Sequence, residues 1–499
     1  MKRMFPGGHG TSRLASNFGW SLASKLVSLG ANFGYVVTTA RLYSKQEVAV
    51  LAVAAILTVL MDVSKGLGLG TLLLKKLPKM ALGAGELGTG EKAAPLVLTY
   101  LVYSLVPPLV LAVAAAAGAG ALSQYFFGSP MFRAELEWGA WIALLVVMAN
   151  TNILVFQAVE RFRTLGVLTV ATSVLQRLAP PLAASVARWN LSGFLEASVA
   201  LSAAACLVTF LPLGRLLIGG GGLRLVKRAE FWPQARHFYY TGLLRYMATQ
   251  VDQLLVAALF APATLAVYFM LRRLYSMAVV MIASMIDALV PDLSREAGHD
   301  EAGAQHRLEH WLGLSLYAGT VGGSLLAGNG EIFINWILGP GYADDELLVI
   351  LFAVSALTYF LFGFIQMGVV LFEQPRLSLE LAGLTALVNS IAALVGALLV
   401  GVRGLPLAMS ASYVAGLWLV RRRNPETGNT TARLALGIFV IAAAGLVSLG
   451  LQAAGWTQWM RLAVVNLGIT GFAWVHYSRW QVRASLRRLA SPVRLEMST

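Results

Sequence analysis

The chain contains 499 residues, of which 58% are hydrophobic and only 12% are charged, and its mean hydropathy is +0.70. Soluble domains carry roughly 25% charged residues, so this composition excludes a water-soluble enzyme and predicts an all-α polytopic membrane protein. Lys and Arg number 38 against 24 Asp and Glu, a net charge of +14. In a membrane protein such an excess lies mostly in cytoplasmic loops, so nucleic acid is not an expected partner. The single cysteine, Cys206, excludes an intramolecular disulfide and a thiol metal site.

About fourteen apolar segments are long enough to be membrane-spanning helices, each of which needs about 20 mainly apolar residues. Charged residues, Gly and Pro divide the chain into predicted spans at 15–40, 47–74, 94–120, 136–159, 164–188, 194–218, 238–261, 263–290, 308–328, 347–373, 377–400, 404–420, 433–454 and 457–478. Most Lys and Arg residues between the spans fall on the side of the N-terminus. The positive-inside rule therefore places both termini in the cytoplasm.

The spans fall into two sets of six, which suggests an internal duplication. Six precede the glycine run at 219–222, six follow it, and a shift of 217 residues sets 42–50 over 259–267. An even number of spans in each set predicts two lobes related by a pseudo-twofold axis along the membrane normal, with the substrate path between them. The predicted units are an N-lobe at 1–218, a cytoplasmic linker at 219–237, a C-lobe at 238–423, and two accessory spans with a basic cytoplasmic tail at 424–499.

Ionisable side chains occur inside several predicted spans, where each costs about 2.5–3.5 kcal/mol and is expected to face a cavity or the interior of the bundle. In the first half, Lys25 lies in a polar stripe of span one and Arg177 lies in span five. Asp62 and Lys65 share one face of span two and could neutralise each other. Arg177 has a structural alternative as the partner of an amide side chain in span four.

In the second half, Arg245, Thr249 and Asp252 follow at intervals of four and three residues, which places them on one face of span seven. Arg272 and Arg273 in span eight point about 100° apart around the helix. Only one of these two arginines can therefore face a lumen directly. The other is expected to pair with a neighbour or to tether a loop.

The intramembrane charges are mostly positive, which predicts an anionic ligand. Arg and Lys in a low-dielectric cavity suit phosphate or pyrophosphate, and Arg offers a bidentate fork. Asp62 and Asp252 are predicted to organise the cations or to couple transport to an ion, with H⁺ and Na⁺ both open. Asp287 and Glu380 are candidate gate residues or part of a solvated rim. The predicted anion-binding residues are Lys25, Lys65, Arg177, Arg245, Arg272 and Arg273.

No pattern in the sequence predicts a metal or nucleotide cofactor. The H-x-x-E-H motif at 306–310 can ligate zinc, but no third ligand is indicated. The glycine run at 66–70 lies in an apolar segment and is not followed by Lys and Ser or Thr, so close helix packing explains it better than phosphate binding. An ATP-driven pump would therefore need a motor from a partner subunit.

Three groups of residues resemble the multidrug/oligosaccharidyl-lipid/polysaccharide (MOP) flippase superfamily, and within it the Wzx-type polysaccharide transporters. The first is the outer turn A-R-L-Y-S-K-Q-E at 40–47, followed by Asp62 and the glycines at 66 and 68. The second is Arg245 followed by V-D-Q-L-L-V at 251–256, with Tyr268 beyond the turn, and the third is L-G-P-G-Y at 338–342. In span order the resemblance covers about residues 1–420.

The resemblance implies two six-helix lobes around a central cavity, and export of a lipid-linked oligosaccharide from the inner to the outer leaflet of a bacterial cytoplasmic membrane by alternating access. Undecaprenyl-pyrophosphate would be the usual carrier, which agrees with the predicted cationic cavity. Membrane lipids, a polysaccharide polymerase and chain-length machinery are further expected partners. The alternatives are a multidrug or organic-cation antiporter, a lipid II flippase of the same superfamily and, with less support, a membrane glycan polymerase.

Overall fold

The computed structural model is mostly helical in the residues that it describes, and these contain no strand. The described residues are 8–65, 69–70, 72–74, 77, 93–159, 161–218, 225–297, 301–342, 345–371, 375–423, 428–457 and 460–472. The α-helices are α1 (Gly8–Leu42), α2 (Lys45–Ser64), α3 (Ala93–Ala117), α4 (Ala119–Phe127), α5 (Arg133–Ala158), α6 (Phe162–Ser173), α7 (Ala179–Ala187), α8 (Leu191–Ile218), α9 (Arg228–Leu259), α10 (Pro262–Ala297), α11 (Glu301–Leu338), α12 (Glu346–Leu371), α13 (Pro375–Val400), α14 (Gly404–Arg423), α15 (Gly428–Ala453) and α16 (Met460–Phe472).

Each predicted span has a helical counterpart, so the all-α polytopic fold with about fourteen spans is confirmed. Within the described chain, eight segments are long and apolar enough to cross a membrane. One of them, Leu377–Arg423, contains both α13 and α14, and two shorter apolar helices, Ile438–Ala453 and Met460–Phe472, follow it. The protein is therefore a multi-pass membrane protein.

The turn between the first two spans ends in a capping box that starts α2. The Ser44 hydroxyl accepts a hydrogen bond from the Glu47 amide, and the Ser44 amide donates to the Glu47 carboxylate at 2.8 Å. These bonds satisfy backbone donors that have no partner inside the helix. Apolar residues from Val48 onward then continue the helix into the bundle.

The fifth span is interrupted by a π-helical turn, Val174–Leu178, between α6 and α7. Pro180 and Pro181 follow this turn after Ala179 and cannot donate to the carbonyl groups four residues earlier. The regular hydrogen-bond pattern is therefore lost at the level of Arg177, which lies within the turn. Single π-helical turns of this kind often occur at functional sites.

The described helices pack as two halves that meet along α1, α2 and α10. In the first half α5 contacts α2, α3 and α8, and in the second half α12 contacts α10, α11 and α14. Across the junction, α10 packs against α1 and α2. The exact limits of the two lobes and of the accessory unit stay predictions.

The end of the predicted linker is helical and packs on the first half. Phe231 and Ala235 of α9 are buried in one apolar cluster with Leu213 of α8. The Val226 amide donates to the Thr99 hydroxyl of α3 at 2.8 Å. The start of α9 is therefore anchored on the first half, while its other end packs against α13 in the second half.

The two halves also touch at the side that carries the 43–44 turn, which we call the outer side in accord with the predicted orientation. The Arg41 guanidinium at the end of α1 donates to the carbonyl oxygens of Trp336 and, at 3.2 Å, Ile337. Lys45 lies over the Tyr342 ring, 6.0 Å from its centre. Because carbonyls at a helix C-terminus carry partial negative charge, a cation is a favourable partner there.

Candidate substrate cavity

A cavity of about 480 Å³ lies between the two halves. Its walls come from α1, α2, α5, α6, the π-helical turn and α8 of the first half, and from α9 and α10 of the second. No Asp or Glu lines it among the residues that the structure describes. Its polar and charged lining residues are Lys25, Ser28, Asn32, Tyr35, Thr58, Thr169, Gln176, Arg177, Ser198, Gln250, Gln253, Arg272, Arg273 and Ser276.

Arg273 is the arginine of α10 that faces the first half. Its Nη1 donates to Asn32 Oδ1 of α1 at 3.0 Å. The guanidinium also lies over the rings of Tyr35 and Phe269, 5.3 and 4.8 Å from their centres. These aromatic and amide contacts fix the side chain but do not neutralise its charge.

Arg177 faces the same space from the π-helical turn, and its guanidinium and that of Arg273 repel each other. Within the described part of the chain, no carboxylate lies within ion-pair distance of either arginine. Two positive charges held together in a membrane interior are costly unless an anion joins them. The arrangement is therefore suited to binding an anion between the two helices.

Arg272 also borders the cavity, but its charge is compensated. Its Nε donates to Asp252 Oδ2 at 2.8 Å, its Nη2 to the Thr249 carbonyl at 2.6 Å, and its Nη1 to Ser276 at 3.2 Å. The Tyr268 hydroxyl donates to the same Asp252 oxygen at 2.6 Å. Asp252 and Arg272 thus form a buried ion pair that stabilises the junction of α9 and α10.

The loss of this ion pair should destabilise the fold. We expect Asp252→Asn to lower the free energy of unfolding by about 3–5 kcal/mol, because it leaves a buried guanidinium without a compensating charge. Asp62→Asn is the matched control and should cost less than about 1 kcal/mol, since Asp62 is half exposed. Size-exclusion chromatography of detergent-solubilised protein after heating measures the difference, and equal losses in the two variants would contradict this role for Asp252.

Of the other predicted site residues, one lines the cavity, others form ion pairs away from it, and two have side chains outside the described part of the structure. Lys25 lines the cavity from α1. Lys65 pairs with Asp62 at the end of α2 and is not among the cavity residues, and Glu380 pairs with Arg423 at 3.1 Å on the surface. Arg245 and Asp287 belong to α9 and α10, but their side chains lie outside the described part of the structure.

Several residues of the cavity do not follow from the pattern of charges. Tyr35 and Phe269 provide the rings beneath Arg273, and Gln250 and Gln253 line the wall formed by α9. Aromatic residues are common in any membrane helix, so nothing in the sequence distinguishes these two. Asn32 belongs to the polar stripe of span one, and that stripe is the signal that could have identified it.

Comparison with known proteins identifies transporters of similar structure. The lipid II flippase MurJ in an inward closed conformation aligns with a TM-score of 0.63 at 11% identity, over 92% of this chain and 99% of that one. The MATE transporter VcmN of Vibrio cholerae aligns with a TM-score of 0.59 at 15% identity, over 84% and 98%. A MOP superfamily transporter from Pyrococcus furiosus aligns with a TM-score of 0.51 at 12% identity, over 86% and 96%.

The chain has the fold of the MOP superfamily transporters. This confirms the superfamily fold that the sequence motifs indicated. No protein-family model and no curated protein matches the sequence, so membership of the Wzx-type family stays a prediction. The substrate has to be inferred from the cavity itself, because similar folds host different functions.

Proposed function

We propose that the protein is a flippase that moves a lipid-linked oligosaccharide, carried on a polyprenyl pyrophosphate, from the cytoplasmic to the outer leaflet of the bacterial inner membrane. In this proposal both termini are cytoplasmic, and the cavity opens to the two sides alternately as the halves rock against each other. The exported oligosaccharide would serve cell-surface polysaccharide assembly. A polysaccharide polymerase and chain-length machinery would act after it.

The observation that carries the proposal is the pair Arg177 and Arg273. Both line the cavity, they repel each other, and the described residues offer neither of them a carboxylate. A pyrophosphate has several oxygens that can accept hydrogen bonds from two guanidinium groups at once. Lys25, on the α1 wall of the cavity, adds a third cation for the same group.

A second cavity supports a substrate with a long apolar part. It has a volume of about 320 Å³, lies between α10, α11 and α12, and is lined by Leu274, Phe333, Ile334 and other apolar residues. Helix α10 separates it from the cationic cavity, because Leu274 and Arg273 lie on different faces of that helix. An anionic group and a hydrocarbon chain of one lipid could therefore bind on opposite faces of α10.

Two alternatives within transport lead to different expectations. A lipid II flippase, the function given for MurJ, would use the same cationic cavity and differ in the sugar that it carries. A multidrug antiporter would need a site for organic cations; one structural neighbour is described as a multidrug resistance MATE family transporter. Arg177 and Arg273 have no carboxylate partner among the described residues, and the described lining holds no acidic residue, which favours the anionic lipid.

A membrane glycan polymerase is the least supported alternative. The outer acidic residues 344–346 are the candidates for catalysis, and Asp344 lies outside the described part of the structure. Asp345 forms an ion pair with Arg403 at 2.9 Å. Substitution of this triplet would distinguish the functions, because export of single repeats without polymer would favour the enzyme.

The proposal is tested in cells depleted of the protein, by measuring the amount and the leaflet of lipid-linked oligosaccharide with a probe that cannot cross the inner membrane. We expect accumulation on the cytoplasmic face, reversed by re-expression, and the trapped lipid identifies the glycan. If the trapped species is lipid II, the alternative flippase is correct. Normal outward exposure of every such lipid would exclude both flippase functions.

A further inference from the structure

A second group of charged residues lies away from the cavity, where the accessory helices meet α11. Arg461 of α16 is only 6% exposed. Its Nη2 donates to Glu331 Oε2 of α11 at 2.8 Å, and its Nη1 lies 3.8 Å from Glu346 Oε1 at the start of α12. Both carboxyl groups therefore face the same guanidinium. One buried guanidinium thus holds two carboxyl groups from two other helices.

The charges of this group do not balance when both carboxyl groups are ionised, because one negative charge remains. The side chains of Glu331 and Glu346 are 22% and 15% exposed, so water compensates this charge only in part. Within the described residues, Glu346 Oε1 is buried and has no hydrogen-bond partner. Two carboxylates that share one site cannot both ionise easily, and a single proton removes the repulsion.

No other charged group in the described surroundings neutralises the pair. Asp345, which directly precedes α12, forms an ion pair with Arg403. From the first half, Arg41 binds the carbonyls at the end of α11, and Lys45 lies over the Tyr342 ring. On α10, Tyr268 donates to Asp252. The described side chains of α15, from residue 438 onward, include no ionisable group, and in 460–472 of α16 the only one is Arg461.

Helix α11 bends next to this group of charged residues. A movement of the end of α11 would therefore change the distances within the group. Asn329 has a non-helical backbone conformation (φ −123°, ψ 15°), and its Nδ2 donates to Asn466 of α16 at 3.1 Å. Gly328 lies so close to Val465 of α16 that a side chain at this position would overlap it. Beyond the bend, the last two turns of α11 carry Glu331 at one end and the carbonyls bound by Arg41 at the other.

We propose that Glu331 and Glu346 bind one proton between them, and that Arg461 positions the pair. With the proton bound, the group is neutral and α11, α12 and α16 stay packed together. Release of the proton leaves one uncompensated negative charge at the start of the last two turns of α11. The carbonyl groups at the other end of these turns accept hydrogen bonds from Arg41. The site is therefore placed to link proton binding from the outer side to the contact that closes the outer side, whichever lipid is carried.

Dicyclohexylcarbodiimide, which reacts with protonated carboxyl groups in apolar surroundings, tests the proposal on the purified full-length protein in lipid nanodiscs. Peptide mass spectrometry over a series from mildly acidic to alkaline pH should find the adduct on Glu331 or Glu346, in an amount that falls as the pH rises. Either Glu331→Gln or Glu346→Gln should reduce labelling of the remaining carboxyl group, because the neighbouring carboxylate that favours its protonated form is then absent.

The matched control is Glu380, whose side chain is 45% exposed and pairs with Arg423; it should stay unlabelled. Chromatographic elution shows whether each variant is folded. As a second measurement, the infrared C=O band of a protonated carboxylic acid should become weaker in either folded variant. The proposal is wrong if neither carboxyl group is labelled at any pH, or if each is labelled to the same extent with and without the other.

Discussion

Replacement of Arg273 with alanine should weaken binding of a polyprenyl pyrophosphate by roughly 10- to 100-fold. A hydrogen bond to a charged group contributes about 1.5–3 kcal/mol, and 1.4 kcal/mol corresponds to a factor of ten in affinity. The side chain has no carboxylate partner among the described residues, so its removal leaves no acidic group of the protein uncompensated. Titration of the purified variant, followed by native mass spectrometry, measures the change in affinity.

Two further variants separate the loss of a contact from a general defect. Arg273→Lys should recover part of the affinity if charge alone matters, and little of it if the planar fork of the guanidinium is needed. Arg403→Ala removes a cation of the outer surface, where Arg403 is about half exposed, and should leave binding unchanged. Unchanged affinity of Arg273→Ala would remove Arg273 from the proposed site.

Arg41→Ala should shift the protein toward conformations that are open on the outer side. The substitution removes the guanidinium bonds to the carbonyls of Trp336 and Ile337, which join the two halves there. A contribution of about 1.5–3 kcal/mol from such bonds predicts an increase of roughly tenfold or more in the open population. The rate at which a membrane-impermeant thiol reagent labels a cysteine in the cavity measures that population.

The labelling site is Thr58→Cys, on the α2 wall of the cavity, introduced after replacement of Cys206 by serine. Arg188→Cys is the matched control, since Arg188 is exposed in the turn after α7, on the predicted outer side, and its labelling should not depend on Arg41. The reagent is added from the outer side of intact cells. If Arg41→Ala labels Thr58→Cys no faster than the parent protein does, the outer contact does not control access to the cavity.

The spans are the part of this fold that the sequence predicts well. Hydropathy and charge breaks locate most helix ends within a few residues, for example 347–373 against Glu346–Leu371 of α12. The limits of α9 and α11 are predicted less well, because both helices extend beyond the apolar segment at one or both ends. Residues 238–261 and 308–328 were expected, whereas the helices are Arg228–Leu259 and Glu301–Leu338. Amphipathic turns at the membrane surface add little to the hydropathy of a window.

The partners of the cavity residues could not be predicted, because they are distant in the sequence. Arg272 and Asp252 are 20 residues apart, and Arg273 and Asn32 are 241 residues apart. The helical angle between Arg272 and Arg273 correctly implies different surroundings for the two, but only the fold shows that Arg273 is the one without a carboxylate. The sequence does not indicate Glu331 as a site residue, because the predicted ninth span ends at residue 328 and places this glutamate in a loop.

Competition binding to the purified wild-type protein shows whether the cavity binds the pyrophosphate of a lipid. A polyprenyl pyrophosphate and a lipophilic organic cation are titrated separately and then against each other, with bound lipid measured by native mass spectrometry. We expect the pyrophosphate lipid to bind, inorganic pyrophosphate to compete with it, and the combination Arg177→Gln and Arg273→Gln to abolish binding. Preferential binding of the organic cation, or pyrophosphate-lipid binding that survives loss of both arginines, would contradict the account.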